Sequence, residues 1–195
     1  MKKHLMALLL LVSLLCTVLS GCGDGSAEQT PEDRAQANTI NVGIAQDLDE
    51  SLDPHKTVKA GTREVMFNVF EGLMKPTSNG DLTPAVAESY TVSDDHRTYT
   101  FTLREGVKFH NGDAVTAEDV IYSIQRCIAP AETGIVPVEA FSIITDIQAL
   151  DERTVAITIS EPSNEFISYL TTAILPADYE EQDTAPVGTG PFRFV

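Results

Sequence analysis

The chain has 195 residues, of which 43% are hydrophobic, which is enough for one domain with an ordinary apolar core. Its formal net charge is −16, and the segment after Cys22 holds 11 basic and 29 acidic residues. A surface this acidic repels phosphate backbones, so the composition argues against nucleic acid as a partner.

The first residues are typical of an exported protein. A short basic segment, Met1–His4, precedes an uncharged apolar run over 5–20. A membrane-spanning anchor is the alternative interpretation of this run. Small residues then lead to a cysteine in "LSGC", at Leu19–Cys22, which resembles the lipobox of bacterial lipoproteins. That resemblance implies a signal peptide over 1–21, acylation of Cys22 and anchoring in the lipid bilayer on the outer side of the membrane.

Cysteine usage agrees with export. Cys16 lies in the predicted signal peptide and Cys22 is the predicted lipidation site, so Cys127 is the one cysteine left in the mature chain. No intrachain disulfide is therefore expected. Cys127 falls on the apolar face of a predicted helix, which favours a small buried side chain over a reactive thiol.

The segment 22–38 is small, polar and charged, and predicts a flexible tether. The folded part is expected to begin at Thr39 with a strand over 39–45, where apolar residues alternate. A helix is predicted from Thr62 to Leu73. Its apolar positions have helical spacing: Val65, Met66, Val69, Phe70 and Leu73.

Two hairpins and two further helices follow. The runs 87–93 and 98–104 flank a polar turn, and 144–160 predicts a second hairpin. A helix over 116–128 has Thr116 as its N-cap, and a shorter helix is expected over 162–174. The last residues, 187–195, are expected to form a buried strand. Interleaved strands and helices predict an α/β fold with a mixed sheet.

No catalytic or metal-binding pattern emerges. His55, His96 and His110 lie in or beside predicted turns, and none has the spacing of a zinc ligand pair. No Gly-x-Ser-x-Gly elbow is present. The glycines of "VGTGPF" are too close together for a phosphate-binding loop, no lysine follows them, and Pro191 would break the required helix. We therefore expect no metal, no cofactor and no enzyme activity, although an exported hydrolase remains an alternative.

Six segments, in order, point to a family. They are "SLDPH", "NVFEGLMKP", "LTPAVAESYTVSDD", "YTFTLREGVKFHNGDAVTAEDVIYSIQR", "TVAITISEP" and "PVGTGPFRF". Together they resemble the N-terminal part of the extracellular solute-binding proteins of family 5, the peptide, oligopeptide and nickel receptors of ABC importers.

The resemblance implies a two-lobed fold of the periplasmic-binding-protein type II kind, which closes on its ligand. By this likeness the chain is lobe I, and lobe II is absent. The first subdomain starts over 39–73, a subdomain is inserted over 74–186, and 187–195 returns to the first subdomain and is cut short.

The same resemblance implies a ligand contact. In oligopeptide receptors the loop after "DPH" lines the cleft and pairs its backbone with an extended peptide. The matching residues here are Val58, Lys59, Ala60 and Gly61. A surface loop without a ligand is the alternative.

The resulting hypothesis is a lipid-anchored receptor that delivers peptides to the permease subunits of an ABC importer. A nickel or nickel-chelate receptor of the same family is one alternative, and a truncated product without function is another. As an N-terminal fragment, the chain is expected to bind no peptide with measurable affinity alone.

Overall fold

The computed structural model describes residues 43–45, 47–128 and 134–195. The predicted signal peptide, Cys22, the tether and most of the first predicted strand lie outside the described residues. Residues Ile44–Val195 form one compact folded unit. No helix within the described part is long and apolar enough to cross a bilayer.

The main sheet has four strands in the order β3-β4-β6-β5, and a two-stranded sheet pairs β1 with β2. The strand bounds are as follows: β1 Met74–Pro76, β2 Leu82–Pro84, β3 Ala87–Val92, β4 Thr98–Leu103, β5 Ile144–Asp151 and β6 Thr154–Ile159. Both predicted hairpins form. Strand β4 then pairs with β6, with Thr100 opposite Ala156, and this joins the hairpins edge to edge.

The α/β fold class is confirmed, but the sheet is not mixed. Every strand pair of the described residues is antiparallel. Strands joined by short turns pair in this way, whereas a parallel pair needs a long crossover connection. The predicted strands over 39–45 and 187–195 contribute no strand within the described residues.

Helix α2, Ala117–Ile128, packs against the sheet and closes the larger core. Its predicted cap is confirmed: the Thr116 hydroxyl and backbone N–H each donate to Asp119 Oδ2 at 2.8 Å. Alternation in β4 buries Tyr99, Phe101 and Leu103, while the intervening threonines stay half-buried. Periodicity and capping thus predicted this region correctly.

The predicted helix over Thr62–Leu73 is wrong in extent. Helix α1 covers Ala60–Met66 only, and the chain turns at 67–69. Val69 and Phe70 are nevertheless buried, in a second and smaller cluster with Met66 and Leu175. An irregular segment buries these side chains as a longer helix would, so apolar spacing alone could not separate the two structures.

Two further expectations need correction. The helix over 162–174 is reduced to the single turn α3, Phe166–Tyr169, and a 3₁₀ helix covers Glu139–Ile143. Segment 187–195 is not a strand, and Phe192 and Phe194 are exposed rather than buried. A strand needs a neighbouring strand to satisfy its backbone, and none of the described strands pairs with this segment.

Candidate ligand-binding groove

An open groove of about 480 Å³ lies beside α1. Its walls come from the loop after "SLD", from α1 and the turn that follows, and from the segments 136–138 and 171–173. Residues distant in the sequence therefore meet here. A concave surface of this size is sufficient for a small ligand or part of a peptide.

The rim of the groove is apolar and exposed. Val58, Phe67 and Val136 have 65%, 61% and 46% of their surface accessible, and all three line the groove. Isolated exposed apolar side chains are common, but three that converge on one concavity are typical of a binding surface. The rim can therefore contact apolar parts of a ligand without further unfolding or repacking.

The groove has one permanent charge. Arg63 lines it, and none of the described lining residues is Asp or Glu. The rest of the chain is strongly acidic. His55, which also lies in the wall, has both ring nitrogens engaged in hydrogen bonds. The electrostatic character of the groove is therefore opposite to that of the chain as a whole.

The four predicted ligand-binding residues occupy two different settings. Val58 lines the groove. Lys59 is the N-cap of α1 in extended conformation, and Ala60 and Gly61 are the first residues of that helix, with Gly61 buried. No ligand is present to test the contact, so backbone pairing at these residues stays a prediction.

Asp49 accepts a hydrogen bond from part of the backbone with which a ligand was expected to pair. Its Oδ2 accepts the Lys59 backbone N–H at 3.0 Å, and its own N–H donates to Thr62 Oγ1 at 2.6 Å. Burial opposes the charge of Asp49, but hydrogen bonds from Lys59, Thr62 and Val58 prevail and lower the pKa of its carboxyl. The carboxylate thus supports the start of α1.

A buried ion pair holds the loop that forms the groove wall. Arg126 of α2 donates to both carboxylate oxygens of Asp53, at 3.0 and 2.7 Å, and the two side chains are 8% and 1% exposed. Arg126 also approaches His55 Nδ1 at 3.2 Å, and His55 Nε2 lies 2.9 Å from the Ala173 carbonyl. These contacts assign Nδ1 as the acceptor and Nε2–H as the donor.

This network was missed in the sequence. Asp53 and His55 stand in the quoted segment "SLDPH", which was the available signal, but nothing in the sequence connects them to Arg126. The fully paired arrangement fixes the loop against α2 and against 171–173. The network therefore holds this wall of the groove in place.

The segment "GTG" approaches another backbone closely. A Cβ on Gly188 would lie 2.2 Å from the Val69 carbonyl oxygen, and one on Gly190 would lie 2.5 Å from that of Asn68. His110 holds the same segment: its backbone N–H donates to the Gly188 carbonyl at 2.9 Å, and its Nε2 lies 2.8 Å from the Gly190 carbonyl. The segment "FHNGD" therefore has a structural role, because His110 holds "GTG" in place.

Cys127 is buried in the core, as predicted. Burial raises the pKa of its thiol to about 12, so the reactive thiolate is scarce at neutral pH. Among the described residues, no group of three or more His, Cys, Asp or Glu side chains is placed to hold a metal ion. Cys22 lies outside the described residues.

The chain is similar to several solute-binding proteins. The glutathione-binding protein GsiB of Escherichia coli strain 536 is 35% identical over 165 residues, which is 80% of this chain and 32% of GsiB. The ABC transporter-associated periplasmic binding protein DppA of Helicobacter pylori, solved with the peptide STSA, is 30% identical, with a TM-score of 0.65 over 74% of this chain and 34% of DppA. NikZ of Campylobacter jejuni, solved with Ni(L-His), is 28% identical, with a TM-score of 0.65 over 80% and 32%.

This chain therefore spans about a third of the length of these relatives. A family profile described as "Bacterial extracellular solute-binding proteins, family 5 Middle" matches residues 81–195. That stretch includes the four-stranded sheet, α2 and the "GTG" segment. The chain belongs to the bacterial extracellular solute-binding proteins of family 5.

Proposed function

We propose that this chain belongs to the substrate-binding component of an ABC importer that takes up peptides. The observation that carries the proposal is the groove beside α1, whose exposed apolar rim is formed in part by Val58, within a chain of this family. DppA, a relative described as ABC transporter-associated, binds a peptide. The groove would form one wall of a cleft that closes on the ligand and presents it to the permease subunits.

Ligand contact is proposed at Val58, through its backbone and its exposed side chain. Lys59, Ala60 and Gly61 would act by placing that residue, because they form the start of α1. A peptide that lies along the rim would also meet Phe67 and Val136. The interaction of a single wall with a ligand is weak, so we expect calorimetry at micromolar concentrations to detect no binding by the chain alone.

Nuclear magnetic resonance detects weaker contacts and tests the proposal. The ¹⁵N-labelled full chain is titrated with millimolar Ala-Ala-Leu. We expect the amide signals of Val58, Phe67 and Val136 to move together. Phe67→Ser should reduce these shifts, whereas Tyr90→Ser, which truncates an exposed aromatic ring on β3, should not. Shifts confined to the β-sheet face, or no shifts at all, would contradict peptide binding in this groove.

A nickel or nickel-chelate receptor is the second candidate, favoured by the likeness to NikZ. The described lining contributes Arg63 and no carboxylate, which disfavours a bare divalent cation. Mass spectrometry and metal analysis of what co-purifies with the protein from its native cell would separate the two. Metal without peptide would overturn the peptide proposal.

We also propose that Cys22 is acylated and anchors the chain at the outer face of the cell membrane. The "LSGC" segment and the uncharged run before it support this. Cells fed labelled palmitate should transfer the label to the unchanged chain and to Cys127→Ser, but not to Cys22→Ser. Equal labelling of the Cys22 variant would contradict the anchor.

The proposed domain organisation assigns 39–73 and 187–195 to one subdomain and 74–186 to an insertion. Two backbone hydrogen bonds support the return: Gly190 N–H donates to the Val69 carbonyl at 2.9 Å, and Phe192 N–H donates to that of Asn68 at 3.1 Å. Hydrogen exchange should show 39–73 and 187–195 opening together and separately from 74–186. A single opening shared by all three segments would contradict the division.

A further inference from the structure

We propose that Arg63 binds a carboxylate of the ligand, so that the groove selects organic acids with an apolar group next to the acid. This inference rests on the proposed function, because it names the ligand class of the same groove. It adds a specificity-determining residue that lies outside the stretch 58–61.

Charge distinguishes the groove from the rest of the chain. The chain after Cys22 carries 29 acidic residues and 11 basic ones, yet none of the acidic residues appears among the described residues that line the groove. Arg63 is the one permanently charged side chain in that lining. An anion in the groove therefore meets a cation at short range, while the surrounding acidic surface disfavours ligands with several negative charges.

The Arg63 side chain is available to a ligand. Across residues 43–45, 47–128 and 134–195, Arg63 makes hydrogen bonds through its backbone, and its guanidinium has no hydrogen bond or ion pair. His55, the other basic side chain of the described lining, is not available in this way, because both of its ring nitrogens are engaged in hydrogen bonds. The five N–H donors of Arg63 are open to a ligand, and their planar fork matches a carboxylate.

Arg63 lies close to the apolar rim. Phe67 follows Arg63 by four residues at the end of α1, so the two side chains lie on the same side of the helix. Val58 and Val136 complete the rim of the same groove. A ligand that satisfies both features carries its acid group within one side-chain length of an apolar group, as a peptide with an apolar C-terminal residue does.

The test compares two probes that differ in one group. The ¹⁵N-labelled full chain is titrated with N-acetyl-Ala-Ala-Leu and with its C-terminal amide. The measurements are the shift of the Arg63 Nε–Hε signal and the Kd from the Val58 amide. We expect the acid to move the Arg63 signal and to bind about three- to tenfold more tightly than the amide.

Two variants sharpen the result. Arg63→Gln should remove the preference for the acid without changing the affinity for the amide, and Arg63→Lys should retain part of it. Arg153→Gln removes the same charge from the exposed turn between β5 and β6, so it should keep the full preference. Loss of preference in the Arg153 variant would show a general charge effect and would overturn the proposal.

The remaining outcomes separate the role of Arg63 from peptide binding itself. If the acid and the amide bind equally to the unchanged chain, the role of Arg63 is refuted while peptide binding stands. If neither probe moves a groove signal, peptide binding fails, and butyrate, which carries one carboxylate next to an apolar group, then tests the anion site alone. An Arg63 signal that responds at lower butyrate concentration than the Arg153 signal supports the site; equal responses overturn it.

Discussion

The two hydrophobic clusters of the described chain are closed in different ways. The larger one lies between the four-stranded sheet and α2, and regular elements bury its side chains almost completely. The smaller one, around Met66 and Phe70, is built from a short helix and irregular segments, and it adjoins the open groove. The segments around the smaller cluster are fixed by the Asp53–Arg126 ion pair and by close packing at the "GTG" glycines, rather than by strand pairing.

The larger cluster supplies most of the buried core, and the groove beside the smaller cluster is the proposed recognition surface. Regular periodic segments form a support, and the less regular side carries exposed apolar groups and Arg63, whose guanidinium has no partner among the described residues. Binding residues are often carried by loops on a rigid scaffold, because loops tolerate exposed groups that a packed core does not. Substitutions in the two regions should therefore differ in size and in consequence.

The largest expected effect is in the polar network beside the groove. Asp53→Ala leaves the Arg126 guanidinium buried without its carboxylate partner, so we expect the free energy of unfolding to fall by about 3–5 kcal/mol. Urea denaturation followed by circular dichroism measures it. Glu71→Gln, which breaks an exposed ion pair of 2.8 Å with Lys75, is the control and should cost under about 0.5 kcal/mol. Similar losses in both variants would refute the special role of the network.

A smaller loss is expected where "GTG" meets the backbone of 68–70. Gly188→Ala places a methyl group against the Val69 carbonyl and forces the two segments apart, at a cost of about 1–3 kcal/mol. Gly43→Ala, with open space around it, should be nearly neutral. Equal stability of the two variants in thermal melts would show that the close approach relaxes without cost.

On the regular side, the cap of α2 should contribute less. Thr116→Ala removes the hydroxyl that donates to Asp119 and should lower the free energy of unfolding by about 1 kcal/mol. Hydrogen exchange should rise first in the opening turn of α2, while the groove signals stay unchanged. Thr100→Ala, on the open face of β4, serves as the comparison. Altered groove signals in the Thr116 variant would show that the two regions are coupled.

The smallest effect depends on pH. Hydrogen bonds from Ser51 and Lys56 lower the pKa of Asp183, which joins the loop near the groove to segment 181–185. A carboxyl whose pKa is lowered on folding stabilises the protein above its unfolded pKa, and that contribution is lost as the pH falls through the folded value. The stability difference between the unchanged chain and Asp183→Asn should therefore be present at pH 6 and shrink below about pH 4. A difference that stays constant down to pH 2 would contradict the assignment.

Sequence reasoning was most successful where the determinants are local. Alternation in 98–103 and the Thr116–Asp119 cap lie within a few residues of the structure they specify, so both hairpins and α2 could be predicted. The six family segments supplied the fold class in addition to these local signals.

The sequence by itself thus determined the secondary structure of the regular region, its apolar face and the family. Tertiary structure alone decided that α1 ends at Met66, that 187–195 forms no strand, and that all described strands pair antiparallel. It also brought Asp53 and Arg126 together across 73 positions and placed Arg63 beside an apolar rim. The physical reason is that periodicity and caps act over one or two turns, whereas ion pairs, grooves and strand partners depend on which distant segments become neighbours on folding.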